Sequence, residues 1–407
     1  MKPGFLSQYF IGIAAKRLSA VEAHPEKSNQ HEFDGISPLR AILGSPTDAV
    51  SYPATFVLLS DDDETAPVNE RSVTWYDSRK DQPHRAAEYR LYFQSCPVME
   101  RATAGDLLII AKRPDNTLLI VVTEKASTAE NQVRWLFGIA EEPAARGRSK
   151  IIIKSEQDAD ERELDFASRQ ILKALGIDIV ETAENLLDTM LAKFSGTFPT
   201  TREFSAFARE TLVGHSLLDP PDSVVVDLMD HEELLFRTLE KHIVQKKLDV
   251  GFANVDDFVA FSMSVHQRRK SRAGYALENH LEALFTAHKI MFARTKVTEN
   301  KAKPDFLFPG VTQYHDATFP PARLTMLGAK ATCKDRWRQV LSEAKRIPNK
   351  HLLTLEPGIS ENQTDEMQDH KVQLVVPTQL HPSYKPKQIA WLMSVSAFLD
   401  LTKHRQK

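Results

Sequence analysis

With 407 residues, 42% of them hydrophobic, the chain has the material for two or three folded domains and is not a disordered polypeptide. Its two cysteines, Cys96 and Cys333, supply neither a disulfide framework nor a zinc site, so a reducing, cytoplasmic compartment is expected; no run of 18 apolar residues is present, so neither a transmembrane helix nor a membrane partner is expected. The formal charge of −3 is unevenly spread. Gln267 to Lys350 holds seventeen Lys/Arg against seven Asp/Glu, a local excess that marks an anionic partner, most commonly nucleic acid, with a merely solvated charged face as the plainer alternative.

The first twenty residues are mildly apolar but weakly charged and lack a good cleavage site, so they read as part of the fold. Residues 1 to about 180 read as mostly β. Short apolar or alternating runs at Tyr52–Ser60, Ser72–Tyr76, Glu88–Phe93, Asp106–Lys112, Asn116–Val122 and Ser149–Lys154 are separated by turn signals, a spacing that predicts a barrel or sandwich. Helices are predicted over Asn131–Gly138 and Asp160–Leu175. The boundary is placed near Phe194–Pro199: a domain over 1–180, a linker region over 181–197 and a second domain over 198–407. An amphipathic helix, Ala183–Lys193, runs into that loop, and another, Thr201–Leu212, leaves it with a start signal at Thr200 and Glu203.

The second half turns helical at Asp230–Lys247, Val255–Val265 and Ala276–His288, with an arginine-rich turn, Arg268–Gly274, before the last of these. Strand-like pieces follow at Ile290–Arg294, Asp305–Phe308, Leu324–Ala329, His351–Thr354 and Gln373–Val376. A helix over Asp335–Lys345 lies between two of them, and the alternation makes an α/β domain.

The chemistry concentrates between Lys301 and Glu343. Phosphodiester hydrolysis needs an activated water and neutralised phosphate charge, work that a hard divalent cation on carboxylates performs with a lysine to position water or phosphate. In the nuclease arrangement PD-(D/E)XK, an Asp lies on one strand and a second acid and Lys on the next. Pro304-Asp305 fits the first half and Lys330 ends the strand TMLGAK, but Gly328 stands where the second acid belongs. Helical spacing offers a substitute: Arg336, Gln339 and Glu343 lie at i, i+3 and i+7, so Glu343 points towards Asp305 and Lys330. Glu278 is a further acid on the edge of an apolar helix face. Arg268, Arg269, Lys270 and Arg272 suit phosphate contacts; Lys334, Asp335 and Arg336 suit guanine and cytosine edges. Each has a bland reading as well: a turn aspartate, a surface lysine, a solvated helix acid or an ordinary charged helix start.

Longer stretches carry a resemblance. RRKSRAGYALENHLEALF (268–285), KPDFLFP (303–309), YHDATFP (314–320), LGAKATCKDRWRQVLSEAKRI (327–347), HLLTLEPGIS (351–360) and VQLVVPTQLHPSY (372–384) closely resemble the EcoRII-type restriction endonucleases over roughly Phe198 to Leu401. KRLSA (16–20), NQHEF (29–33), WYDSR (75–79) and EYRL (88–91) more loosely resemble their amino-terminal effector domain, a B3-like pseudobarrel. The resemblance implies a prokaryotic type IIE enzyme with a restriction-endonuclease-like α/β catalytic domain, cutting double-stranded DNA at a CC-W-GG-like sequence with Mg2+. It further implies a catalytic homodimer and an effector domain that binds a second DNA copy. It assigns catalysis to Asp305, Lys330, Glu343 and Glu278, metal binding to Asp305 and Glu343, base reading to Lys334, Asp335 and Arg336, and effector contacts to His31, Glu88 and Arg90. Two segments depart from the family: Val224–Glu233 has no arginine where the family holds a flipped central base, and the arm near Pro83–Tyr92 differs. A mismatch or structure-specific repair nuclease of the same fold, or an inert DNA-binding protein, remain the alternatives; an intact Asp305, Lys330 and Glu343 set argues against inertness.

Overall fold

The computed structural model describes residues 6–23, 31–34, 37–61, 67–82, 84–139, 164–177 and 183–407, with backbone alone at 7, 37, 38, 184, 300 and 334–336. Contacts divide the chain into two units, residues up to 179 with 357–360, and 180–356 with 361–407.

The first unit is built on a seven-stranded sheet: β1 (Gly12–Arg17), β2 (Glu32–Asp34), β3 (Val50–Leu59), β4 (Val68–Asp77), β5 (Tyr89–Phe93), β6 (Leu107–Lys112) and β7 (Leu118–Thr123), in spatial order β1-β6-β7-β3-β4-β5-β2. Among the described residues β1 and β2 do not pair with each other, so the expected barrel is an open, curled half-barrel. β3 and β7 run parallel, from Ala54 opposite Leu118 to Leu59 opposite Thr123. Side chains alternate between faces along a strand, and β7 is buried at every position. Its Leu118, Ile120 and Val122 join Phe33, Trp75 and Phe93 on one face, while Leu119 and Val121 meet Val133 and Leu172 from the helices Thr128–Leu136 and Phe166–Ala174 on the other. The expected strand Ser149–Lys154 lies outside the described residues. β1 and β2 were not expected: GIAAKR and EFD are too short and too mixed to stand out.

The second unit begins earlier than the expected linker allows. Helix Glu184–Phe194 occupies that stretch, and Met190 and Phe194 pack with Phe204, Phe207 and Leu239, so its apolar face makes 183–194 part of the core. Next comes α1 (Thr201–Thr211), which starts where the capping box of Thr200 and Glu203 satisfies its first N–H groups. α2 (Pro221–Val250) and α3 (Val255–Ala287) follow, the latter capped by Asn254. α3 is continuous: the expected turn at Arg268–Gly274 is its middle. A single glycine weakens a helix by about 1 kcal/mol without breaking it, and the apolar spacing carries through to Leu277, Leu281 and Leu284.

The helices flank a five-stranded sheet of β8 (Ala293–Arg294), β9 (Phe306–Phe308), β10 (Thr325–Lys330), β11 (Lys350–Thr354) and β12 (Val372–Val375), in order β12-β11-β10-β9-β8. β10, β11 and β12 are parallel; β9 is antiparallel to β8 and β10. The C-terminal helix α4 (Val395–Gln406) places Phe398 against Phe285 and Phe308. Cys96 and Cys333 are both buried.

Candidate active site

Strand register brings the first pair together. Leu327 of β10 lies opposite Phe306 of β9, so Asp305 falls beside Gly328. Opposed residues share a face of the sheet, as do residues two apart on a strand, which sets Asp305, Gly328 and Lys330 on one side. Lys330 Nζ donates to Asp305 Oδ2 at 2.9 Å, and the same oxygen accepts the Ala329 N–H at 2.8 Å.

Glu343 arrives by a different route from the expected one. The segment 335–345 is not an α-helix: Lys334–Ser342 winds as a 3-10 helix and Glu343 stands just past its end in extended conformation. An i, i+7 face therefore does not carry the glutamate. The chain instead reverses at Ala344, whose φ of 46° lies in the left-handed region. Glu343 still comes within electrostatic reach of the pair. Burial and the charge of Asp305 push its carboxyl up to about 7, against the opposing pull of Lys330 and Lys350.

The glycine at 328 follows from this route. A Cβ there would stand 2.9 Å from Val340 Cγ2 and 3.3 Å from Leu352 Cδ1. Val340 belongs to the 3-10 segment that leads to Glu343, so the space where a strand acid would project is filled by the element that brings the displaced acid. Position 328 is empty of a side chain because the fold needs the room.

Glu278, on α3, also reaches this site. Burial and Asp305 raise its carboxyl above the ordinary range, with Arg294 and Lys330 opposing. Arg294 of β8, which nothing in the sequence singles out, donates to Glu278 at 2.9 Å, to Asn279 Oδ1 at 2.8 Å and to Glu282 at 2.5 Å. Three acids, one lysine and one arginine thus converge, with Glu278 already held by a cation.

The basic residues divide. Arg268 is exposed, its guanidinium 4.5 Å from the Phe198 ring, and Lys270 is exposed beside it. Arg269 is half exposed and grips Glu240 with hydrogen bonds of 2.9 and 2.8 Å from Nε. Arg272, expected as a phosphate contact, is only 5% exposed; it pairs with Glu233 and lies over the Phe236 ring, so it serves the packing of α3 on α2. The acids responsible, Glu240 and Glu233, lie 29 and 39 residues upstream on α2, beyond the range of local sequence patterns. Lys334, Asp335 and Arg336 open the 3-10 segment, with side chains outside the described residues; the Cys333 N–H just before them donates to Glu356 Oε2 at 3.2 Å.

In the first unit, Glu88 and Arg90 lie together at β5, where Asp34 is paired with Arg90, whereas His31 stands opposite Phe93 on the other face of the β2–β5 pair. Arg90 is surrounded by Glu32 at 3.2 Å, Asp34 at 3.6 Å and Glu88 at 3.1 Å, and Glu88 also takes Arg79 at 2.7 Å. His31 meets the Phe93 ring edge-on.

No group of three or more His, Cys, Asp or Glu side chains is arranged to hold a metal ion among the described residues. Magnesium does not require one: it keeps several waters and takes one or two carboxylates plus substrate phosphate oxygens. Asp305 and Glu343 fit that demand, because the charge of Asp305 raises the proton affinity of the half-buried Glu343 carboxyl, a conflict that a divalent cation relieves.

The family model described as EcoRII C terminal matches residues 236–399. The type II restriction enzyme EcoRII of Escherichia coli is 45% identical over 203 residues, which is 50% of this chain and 50% of that protein. The chain thus aligns with about half the length of this relative. Among solved structures, metal-depleted Ecl18kI in complex with uncleaved DNA aligns with a TM-score of 0.45 at 20% identity, over 54% of this chain and 84% of that one. The complex of restriction endonuclease PspGI with substrate DNA aligns at 0.44 and 18%, over 51% and 93%.

Proposed function

We propose, from the match of residues 236–399 to the family model described as EcoRII C terminal, that the protein is a type II restriction endonuclease of the EcoRII type, hydrolysing double-stranded DNA at a short CC-W-GG-like sequence with Mg2+. The observation that carries this reading is the Asp305–Lys330 pair at 2.9 Å with Glu343 close enough to be perturbed by both. Asp305 and Glu343 would hold the cation, which when bound neutralises phosphate charge and lowers the pKa of a water. Lys330, fixed by Asp305, offers its remaining N–H groups to a phosphate oxygen or a water. Glu278 contributes negative charge at the rim while Arg294 restrains it. Lys334, Asp335 and Arg336 stand four to six residues after Lys330, so base reading and cutting would be coupled through one strand end.

Cutting both strands of a two-fold symmetric sequence takes two sites, so the active form is a homodimer. The first unit is the effector domain in this reading, a B3-like DNA-binding module engaging a further copy of the sequence. His31, Glu88 and Arg90 would be its contacts, with Arg90 exchanging carboxylate partners for phosphate. Among the described residues no helix is long and apolar enough to cross a membrane.

The test is direct. Phage and plasmid DNA are incubated with the purified protein and Mg2+, and the ends are sequenced. Discrete ends at a G·C-flanked pentanucleotide are expected. Cleavage confined to mismatched or branched substrates would transfer the protein to repair, and binding without any cleavage would make it a regulator.

A further inference from the structure

The turn that follows Glu343 is held from two sides. On one, Lys350 at the start of β11 is 7% exposed, and its Nζ donates to the carbonyls of Glu343, Ala344 at 3.2 Å and Ile347 at 3.3 Å. An ammonium has three N–H donors, and all three go to backbone oxygens of one short turn. On the other side, the Glu299 carboxylate accepts the Lys345 N–H at 3.3 Å and the Tyr314 hydroxyl at 2.6 Å, and Arg346 donates to the carbonyls of Tyr314, of Asp316 at 2.9 Å and of Phe319 at 2.8 Å.

This fastening matters because of where it lies. Ala344 occupies the left-handed region at φ 46°, which alanine disfavours and a neighbouring structure must impose. Glu343 is its immediate predecessor, past the last turn of the 3-10 segment, so no helical hydrogen-bond ladder runs on beyond it. The nearest fixed point on the β11 side is Lys350, which touches the carbonyls of both residues. A buried lysine is an expensive way to close a turn that a glycine and a neutral donor could close; its use here places the demand on the position of the turn rather than on its existence.

We propose that Lys350 is a positioning residue for Glu343: by holding the Glu343 and Ala344 carbonyls it sets the displaced carboxylate where it meets the cation shared with Asp305. The inference rests on the nuclease reading for its purpose, but it concerns a binding geometry that is measurable without cleavage.

Lys350→Met removes the donors and keeps the length; Lys350→Arg keeps the charge and donors; Lys350→Met with Ala344→Gly lets the backbone take the left-handed turn unaided. Mn2+ binding to the protein is titrated by electron paramagnetic resonance, alongside melting curves, DNA affinity without cation and the Mg2+ dependence of cleavage. In Lys350→Met, Mn2+ affinity is expected to fall about tenfold or more, with half-saturating Mg2+ rising in parallel and cation-free DNA affinity unchanged. The Ala344→Gly double variant and Lys350→Arg should each recover part of the loss. Unchanged Mn2+ affinity in a folded Lys350→Met protein overturns the proposal, and so does loss of folding in all three variants, which would make the lysine purely structural. If the wild type cuts no DNA but the variants lose Mn2+ affinity in this pattern, the nuclease reading fails and the positioning role stands.

Discussion

Asp305→Asn and Glu343→Gln will each lower the rate of DNA cleavage by about a thousandfold, while DNA affinity measured without divalent cation stays within a few-fold of wild type. Losses of this size follow when a group that orders charge at the reacting phosphate is removed. The expectation is strongest for these two because the charge of Asp305 is felt at the Glu343 carboxyl. Lys330→Ala belongs in the same class, since its Nζ is held at 2.9 Å from Asp305 on the same face of the sheet. Glu278→Gln will lose far less, because Arg294 already neutralises that carboxylate at 2.9 Å. Single-turnover cleavage and fluorescence anisotropy on one oligonucleotide separate chemistry from binding. A Glu343→Gln protein that cuts at the wild-type rate would remove it from the site and leave Glu278 as the only second acid. Lost affinity without lost rate would turn the whole cluster into a DNA-contact surface.

Gly328→Ala will reduce cleavage by at least about tenfold and destabilise the second unit by about 1–3 kcal/mol, the usual range for an overpacked core. The added methyl meets Val340 Cγ2 at 2.9 Å and Leu352 Cδ1 at 3.3 Å. Leu352 lies in the sheet and yields little, so the 3-10 segment moves and takes Glu343 with it. Val340→Ala should open the room again, and Gly328→Ala with Val340→Ala should be faster and more stable than Gly328→Ala alone. A double-mutant cycle on melting temperature and on rate reads this coupling, for which residues in contact give about 0.5–3 kcal/mol. Strictly additive effects would mean that the glycine serves something other than space for Val340.

The strands of the second unit were legible because they are short apolar runs between polar turns, and the Pro304-Asp305 and Lys330 pairing could be read from them directly. Glu343 was identified as the displaced acid on an argument that the structure replaces. The i, i+3, i+7 spacing presumes 3.6 residues per turn, whereas a 3-10 helix has three, and Glu343 lies beyond its end. What brings it in is the reversal at Ala344, and a left-handed alanine leaves no mark in a sequence. The arginines of α3 show a different limit. Composition alone makes RRKSR look like a phosphate-binding turn, yet the acids that engage Arg269 and Arg272 lie on the preceding helix. Pairing between helices is set by packing, which a linear pattern does not contain. Lys350 and Arg294 escaped notice for the same reason: each is a lone cation at a strand end until the backbone carbonyls or carboxylates around it are seen.

Val340 seated on Gly328 also limits what can be engineered. With this layout one substitution does not place a working acid on the strand at 328. Aspartate or glutamate at 328 would collide with Val340 before it could serve, and shrinking Val340 first would loosen Glu343 while nothing yet replaced it. Either single step passes through a weaker protein. The room beside β10 thus holds either Val340 or a side chain at 328, and moving from one packing to the other takes two coordinated changes.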